Sequence, residues 1–267
     1  MRILVTGGTG NIGRLVVDEL LRADADEVRV LTADPVRAAL PPEVEVVEGY
    51  LGRVETLPRA LEGVDRMYLA PLPKTVVEVM RLAASSGVER VVDVAGGKDT
   101  WWYCIEEAVE QSGIAWTHLE PGEFMTNRLS WVDQIRDTGR VRDAYPDSAG
   151  AAIALEDIAV VAAAMLLEDG HLGRAYELTG PETISRAEML RCIGRALGRH
   201  IPYEELSHEQ AVELYAATMG EFGSWYVGGM ADLVAEPHRS TTTFQDLMGR
   251  PGTTFAEWAA ANADSFR

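Results

Sequence analysis

The residues with the clearest chemical potential are backbone amides, not side chains. Thr6-Gly7-Gly8-Thr9-Gly10-Asn11-Ile12-Gly13 spaces glycines as GxxGxxG between an apolar run at 3–6 and a stretch of helical periodicity. A strand that hands over to a helix through such a loop suits a dinucleotide. Gly7 permits the sharp turn, Gly10 lets the backbone approach a diphosphate, and Gly13 lets helix and strand pack closely. The helix N-terminus then offers unpaired N–H groups and a partial positive charge to the phosphates. Gly7, Thr9, Gly10, Asn11, Ile12 and Gly13 are therefore the expected cofactor contacts. At the tip of the second strand, Thr32 is neutral, Arg37 could hold an extra phosphate, and Asp34 would oppose it. An acidic tip favours NAD and a basic one NADP. The cofactor expected is NADP or NAD, with NADP slightly favoured.

Further candidates stand where open α/β sheets bind ligands, beyond the carboxyl ends of the strands. Trp101 and Trp102 follow the fifth apolar run and could stack a flat substrate. Phe124 and Met125 follow the sixth. Phe222, Trp225 and Tyr226 are candidate lid residues, although packing within their own lobe is the favoured reading. The ends of the third to fifth runs, Tyr50-Leu51, Ala70-Pro71 and Ala95-Gly96, complete the expected cofactor contacts. Other chemistries fare worse. His118, His171, His200, His208 and His238 show no metal spacing and no HExxH. Pro146-Asp147-Ser148-Ala149-Gly150 lacks the first glycine of a nucleophile elbow, and no GxxxxGK[ST] loop occurs. The carboxylates read as solvated surface, with no pair singled out by position.

The elements that must position these residues alternate. Apolar runs at 3–6, 28–31, 44–47, 67–70, 91–94 and 116–119 predict strands. Helical spacing predicts helices over 12–23, 54–62, 74–86 and 101–112, with Gly63, Gly87 and Gly113 as stops. After Pro121 the rhythm breaks, returning with an alanine-rich helix opened by Asp157 and a strand at 175–178. From Ser185 the chain reads as mostly helical. The expected fold is α/β, an extended Rossmann-type doubly wound parallel sheet with a small, mostly helical C-terminal lobe. Residues 1–121 and 151–180 are the expected dinucleotide-binding domain. Residues 122–150 and 181–267 are the expected discontinuous substrate-binding lobe.

With 267 residues and 47% hydrophobic content, the chain can bury a core of that size. Its net charge of −18 argues against nucleic-acid binding by phosphate neutralisation. Cys104 and Cys192 show no paired spacing, and neither a signal peptide nor a membrane span is read. The expectation is a cytoplasmic monomer or homodimer whose partner is a small-molecule substrate, with no nucleic acid, membrane or metal.

Over nearly its whole length the sequence resembles the NmrA-like atypical short-chain dehydrogenases/reductases. TGGTGNIG resembles that family's first loop and EVRVLTADPVRAALPPEVEVVEG its second strand region. IEEAVEQSGIAWTHLEPGEFMTN, LEDIAVVAAAML, YELTGPETISRAEML and TFAEWAAANADSF follow in order. The resemblance implies an extended Rossmann fold with a small lobe over the nicotinamide. It also implies either an NAD(P)H-dependent reductase of quinones and related carbonyls or a redox-sensing regulator without turnover. Departures from the pattern matter. Tyr50 replaces an acidic residue that would meet the adenine, and could stack on that ring instead. Ala33 replaces a frequent arginine. Asp93-Val94-Ala95-Gly96-Gly97 lacks the usual serines. Where catalytic short-chain dehydrogenases carry Tyr-x-x-x-Lys, this chain has Tyr103 and Glu107, and a nearby carboxylate disfavours tyrosinate. Tyr103 is then a proton donor to a substrate oxygen or a pocket wall, and Lys98 is a substitute cation or a surface residue. The reading favoured is a reductase passing hydride to an activated carbonyl, quinone or enone. The alternatives are a sensor and a non-redox cyclase or isomerase.

Overall fold

The computed structural model describes every residue except Pro71 and Asp99. In chain order, β1 (Arg2–Val5), α1 (Asn11–Arg22), β2 (Glu27–Thr32) and β3 (Glu45–Glu48) come first. They are followed by α2 (Pro58–Leu61), β4 (Arg66–Leu69), α3 (Val76–Ser85), β5 (Arg90–Val94), α4 (Tyr103–Gln111) and β6 (Ala115–Pro121). After an excursion, α6 (Leu155–Leu167) and β9 (Arg174–Leu178) return. All pairings are parallel, in the order β3-β2-β1-β4-β5-β6-β9. This is the Rossmann-type sheet that the alternation predicts. α1 packs with α6 and α3 with α4, so each pair covers one face of the sheet. The strands are apolar on both sides for that reason.

The helices stop where the sequence says they should. Gly63, Gly87 and Gly113 have φ of +67°, +88° and +76°, a region that glycine enters without a Cβ penalty. The helix expected over 54–62 is instead a 3₁₀ turn at Val54–Thr56 and the short α2. Pro58 explains the break: it has no N–H to donate and is tolerated only at the first helical turn. The helix expected from Asp157 begins two residues earlier, placing Glu156 and Asp157 in its first turn.

The chain divides into two compact units, Met1–Pro121 with Leu155–Leu178, and Gly122–Ala154 with Thr179–Arg267. Residues 151–154 and 179–180 thus lie in the second unit. The first is tied together through arginines. Arg66 donates to the Leu166 carbonyl, while Arg90 reaches the Met165 carbonyl (3.3 Å) and Asp169 (2.7 Å). Positive groups there also suit the carboxyl end of α6.

The second unit contains short pairings that the sequence does not announce. β7 (Val141–Asp143) runs parallel to β11 (Tyr203–Glu205), and β8 (Ala149–Gly150) antiparallel to β10 (Ile184–Ser185). Its helices are α5 (Val132–Thr138), α7 (Arg186–Ala196), α8 (His208–Met219), α9 (Phe222–Ala235), α10 (Thr243–Met248) and α11 (Phe255–Ala261). Trp131, Ile193, Phe255, Trp258 and Phe266 form its main core. Ser185 caps α7 by accepting from the Glu188 amide. Among the described residues, no helix is long and apolar enough to cross a membrane.

Candidate nucleotide-binding site

The site starts from the end of β1. The Thr6 hydroxyl donates to the Tyr68 carbonyl at 3.0 Å and accepts from the Ala70 amide at 2.8 Å, tying the tips of β1 and β4 together. Gly7 follows at φ +62°, and a Cβ there would lie 2.6 Å from that of Ala70. A Cβ on Gly13 would stand 2.3 Å from the Gly7 carbonyl oxygen, so any side chain would push α1 off the loop. The Gly10 amide donates to the Gly7 carbonyl at 2.8 Å, which closes the turn.

Gly10 is the N-cap of α1 and brings no side chain to cap it, and the first turn carries no acidic residue. The first intrahelical bond runs from the Arg14 amide to the Gly10 carbonyl, at 3.1 Å. The amides of Asn11, Ile12 and Gly13 precede that ladder. Thr9, Gly10 and Asn11 are exposed and Ile12 is half-buried. An uncapped helix end with a loop that excludes side chains fits a diphosphate.

The other expected contacts fall into distinct roles. Thr32 is buried at the tip of β2, and its hydroxyl accepts from the Asp34 amide at 3.2 Å. Asp34 in turn accepts from the Arg37 amide (3.1 Å) and lies 3.5 Å from its guanidinium. Arg37 is otherwise fully presented to solvent, so its carboxylate neighbour partly offsets the one cation there. The Tyr50 ring lies over Gly52, with Cε1 2.4 Å from where a Cβ would stand. The side chain of Leu51, expected among the cofactor contacts, is instead buried in the core with Leu4, Leu31 and Leu57. Ala70 lines the glycine turn, and Pro71 lies outside the described residues. The Ala95 amide donates to the Leu119 carbonyl at 3.0 Å, and Gly96 packs against Thr100 and Trp102.

Beyond β5, Trp101 is exposed, whereas Trp102 packs on the core; their rings are 3.9 Å apart. Tyr103 opens α4, half-buried, with Glu107 exposed one turn on and Lys98 exposed in the preceding loop. In the second unit Phe124 is half-buried and bridges to Ile153. Met125, expected to line a substrate pocket, is 1% exposed inside that unit's core. Phe222 and Trp225, for which packing in the lobe's own core is the favoured expectation, are each 68% exposed on α9. Only Tyr226 packs inward, 4.9 Å from Tyr215.

Sequence reasoning misses a buried polar cluster under α4. The His118 Nδ1 lies 2.7 Å from Asp93 Oδ2, both side chains being essentially without exposure. Glu106 is buried beside them, and Glu110 approaches His118 Nε2 at 3.8 Å. Burial pushes the Asp93 carboxyl up, against the opposing pull of His118. Burial also raises Glu106 to about 7, helped by neighbouring Glu120, Asp93 and Glu110. For His118 the burial penalty on the cation is outweighed by the Asp93 hydrogen bond and the surrounding carboxylates, so its pKa rises. The available signal is an ionisable residue in each of two neighbouring strand segments that carry no other, VVDV and WTHL.

With this geometry in place, the comparisons with known proteins are decisive on family. The NAD(P)H-binding family matches residues 7–169. The chain belongs to that family. It is 37% identical, over 99% of each chain, to the (4-alkanoyl-5-oxo-2,5-dihydrofuran-3-yl)methyl phosphate reductase of Streptomyces griseus subsp. griseus. It is 32% identical, again over 99% of both, to the NAD(P)H azoreductase of Xenophilus azovorans. Among solved structures, the NADPH-dependent quinone oxidoreductase of Escherichia coli complexed with NADPH superposes with a TM-score of 0.85. That match covers 98% of this chain and 99% of the other at 23% identity, and speaks for the fold. The cofactor is accordingly a nicotinamide dinucleotide, NADP or NAD.

Proposed function

We propose that this member of the family is an NAD(P)H-dependent reductase of a small molecule bearing an activated carbonyl, quinone or enone. The uncapped α1 terminus, closed to side chains by Gly7 and Gly13, is the observation that carries the reading. The names of the relatives, a butenolide-type phosphate reductase and an azoreductase, support the reductive direction. The amides of Asn11, Ile12 and Gly13 hold the diphosphate. The tip of β2 meets the adenosine ribose, and Tyr50 lies beside the adenine. Asp34 accepts from ribose hydroxyls in the NAD form, while Arg37 meets the extra phosphate of the NADP form. Ala95 and Gly96 border the nicotinamide, whose reduced ring supplies hydride when bound.

Trp101 and the half-buried Trp102 orient a flat substrate. The hydroxyl of Tyr103 donates the proton that balances the hydride, going to the substrate oxygen as carbon is reduced. Assay of reduced-cofactor oxidation with a panel of quinones and enones tests the activity. Gly13→Ala is expected to abolish measurable NADPH binding in calorimetry while leaving a folded protein. Tyr103→Phe should lower kcat about 100-fold or more with cofactor affinity unchanged. No turnover with any acceptor would overturn the reductase reading, and unchanged kinetics would remove Tyr103 from it. Glu107, standing where a lysine would assist Tyr103, favours one second reading: a cofactor-binding sensor without turnover. That reading requires reduced and oxidised cofactor to bind with different affinities.

A further inference from the structure

A cavity of about 510 Å³ opens on the α4 face of the first unit, with no residue of the glycine loop in its lining. Trp116, His118 and Glu120 alternate along β6 and project into it. Ala175 and Gly173 come from the β9 edge, Glu106 and Glu110 from one face of α4, and Gly97, Lys98 and Thr100 from the loop after β5. α4 lies against β6, and β9 beside that strand is the edge of the sheet.

The lining has a consistent defect. Glu106 Oε1 and His118 Nε2 are buried without a hydrogen-bond partner, and behind them so is Asp93 Oδ1. Glu106 is 2% exposed and His118 1% exposed. With His118 Nδ1 turned to Asp93, an Nδ1–H donates there and Nε2 is left as an acceptor. With His118 neutral and Glu106 ionised, every orphaned atom is then an acceptor. Leaving such groups unpaired is costly, so the cavity lacks donors. The charge points the same way: Glu106, Glu110 and Glu120 face it, opposed by Lys98 at the rim and by His118 when protonated. Among the described residues no three of His, Cys, Asp and Glu converge closely enough for a metal ion. An ammonium or guanidinium group spreads its donors more widely and also suits the indole wall of Trp116.

We propose that this cavity binds a small organic cation, an ammonium or guanidinium compound, with Glu106 and His118 Nε2 accepting its N–H groups. Without that cation, protons substitute for it. Glu106, facing Asp93 from β5, His118 and Glu120 from β6, Glu110 from its own helix and Lys98 from the loop, holds its proton to about pH 7. An incoming cation favours the carboxylate and disfavours imidazolium, so it displaces protons from both groups. Binding therefore strengthens as pH rises through 7.

The test uses benzylammonium, with benzyl alcohol as its uncharged counterpart, titrated into the full-length protein. Calorimetry in buffers of differing ionisation enthalpy should show one saturable site for benzylammonium, proton release near pH 7, and no site for the alcohol. The His118 imidazole resonances should move on binding. Glu106→Gln should weaken binding about tenfold or more. Lys98→Met should tighten it, and this exposed position keeps the proposal testable if the buried variant does not fold. Three results would overturn the proposal: no saturable binding, equal binding of the alcohol, or an equal loss in Glu78→Gln on α3. The last would show only general attraction to a chain of net charge −18.

Discussion

Asp93 in the first unit and Asp143 in the second are both fully buried, yet they are provided for in opposite ways. Asp143 is saturated. Its Oδ2 accepts from the Trp131 indole (2.7 Å), the Tyr215 hydroxyl (2.9 Å) and Arg186, and its Oδ1 from the Ala144 amide (2.8 Å). Arg186 and Arg128 also stand over the Trp131 ring, at 5.4 and 4.9 Å. A guanidinium partner stays charged throughout the range in which proteins fold. Asp93 has one partner, a histidine that can lose its charge, and one bare oxygen. The comparison teaches that buried charge is structural where its partners are permanent and complete. Where they are titratable and incomplete, it remains available to respond to pH or to a ligand.

The largest effect that would break this contrast is at Asp143. Asp143→Ala should destabilise the protein by about 3–5 kcal/mol in urea denaturation, because Arg186 is left as an uncompensated buried charge. Asp93→Asn should cost less, about 1–3 kcal/mol, since the shape is kept and the histidine can become neutral. The same variant should lower the His118 titration midpoint, read by NMR. An Asp93→Asn cost equal to that of Asp143→Ala would end the distinction.

The pH dependence sharpens it further. Glu106 rises from 4.5 unfolded to about 7 folded, so the folded state binds the extra proton. Stability is fully present below about pH 4.5 and declines as pH rises through 7, by at most about 3 kcal/mol. The raised His118 value acts with the same sign, from the usual imidazole range upward. Glu106→Gln should flatten the stability profile between pH 5 and 8 and make the variant the more stable form at pH 8. The smallest change belongs to Glu110, a partly exposed group 3.8 Å from the imidazole. Glu110→Gln should alter stability by less than about 1 kcal/mol.

These contrasts also mark what could be read in the sequence. The β-α alternation and the glycine stops are local signals, and β1 to β6 lie within a residue or so of their predicted positions. The turn of the glycine loop is legible because glycine spacing encodes backbone geometry directly. The side chains of Met125 and Leu51 are buried, a placement the sequence does not reveal because an apolar residue next to a strand end suits either a cleft or a core. The Asp93–His118 pair was hidden because its members lie 25 residues apart and meet only when β5 and β6 align. The short β7–β11 and β8–β10 pairings carry too few residues for a periodic pattern.

The return of α6 and β9 has a consequence for how the protein is made. A nascent chain that has emerged only as far as Pro121 owns the glycine loop but not the helix that covers β4 and β5, nor the carbonyls that receive Arg66 and Arg90. β6 would be a bare sheet edge at that stage, open to pairing with another chain. The nucleotide unit is thus completed only after a foreign stretch of 33 residues, Gly122–Ala154, has been synthesised in its middle. Cutting the gene at residue 121 would yield an aggregating sheet that lacks its seventh strand, whereas joining residue 121 to 155 through a short linker would preserve every strand of the nucleotide unit.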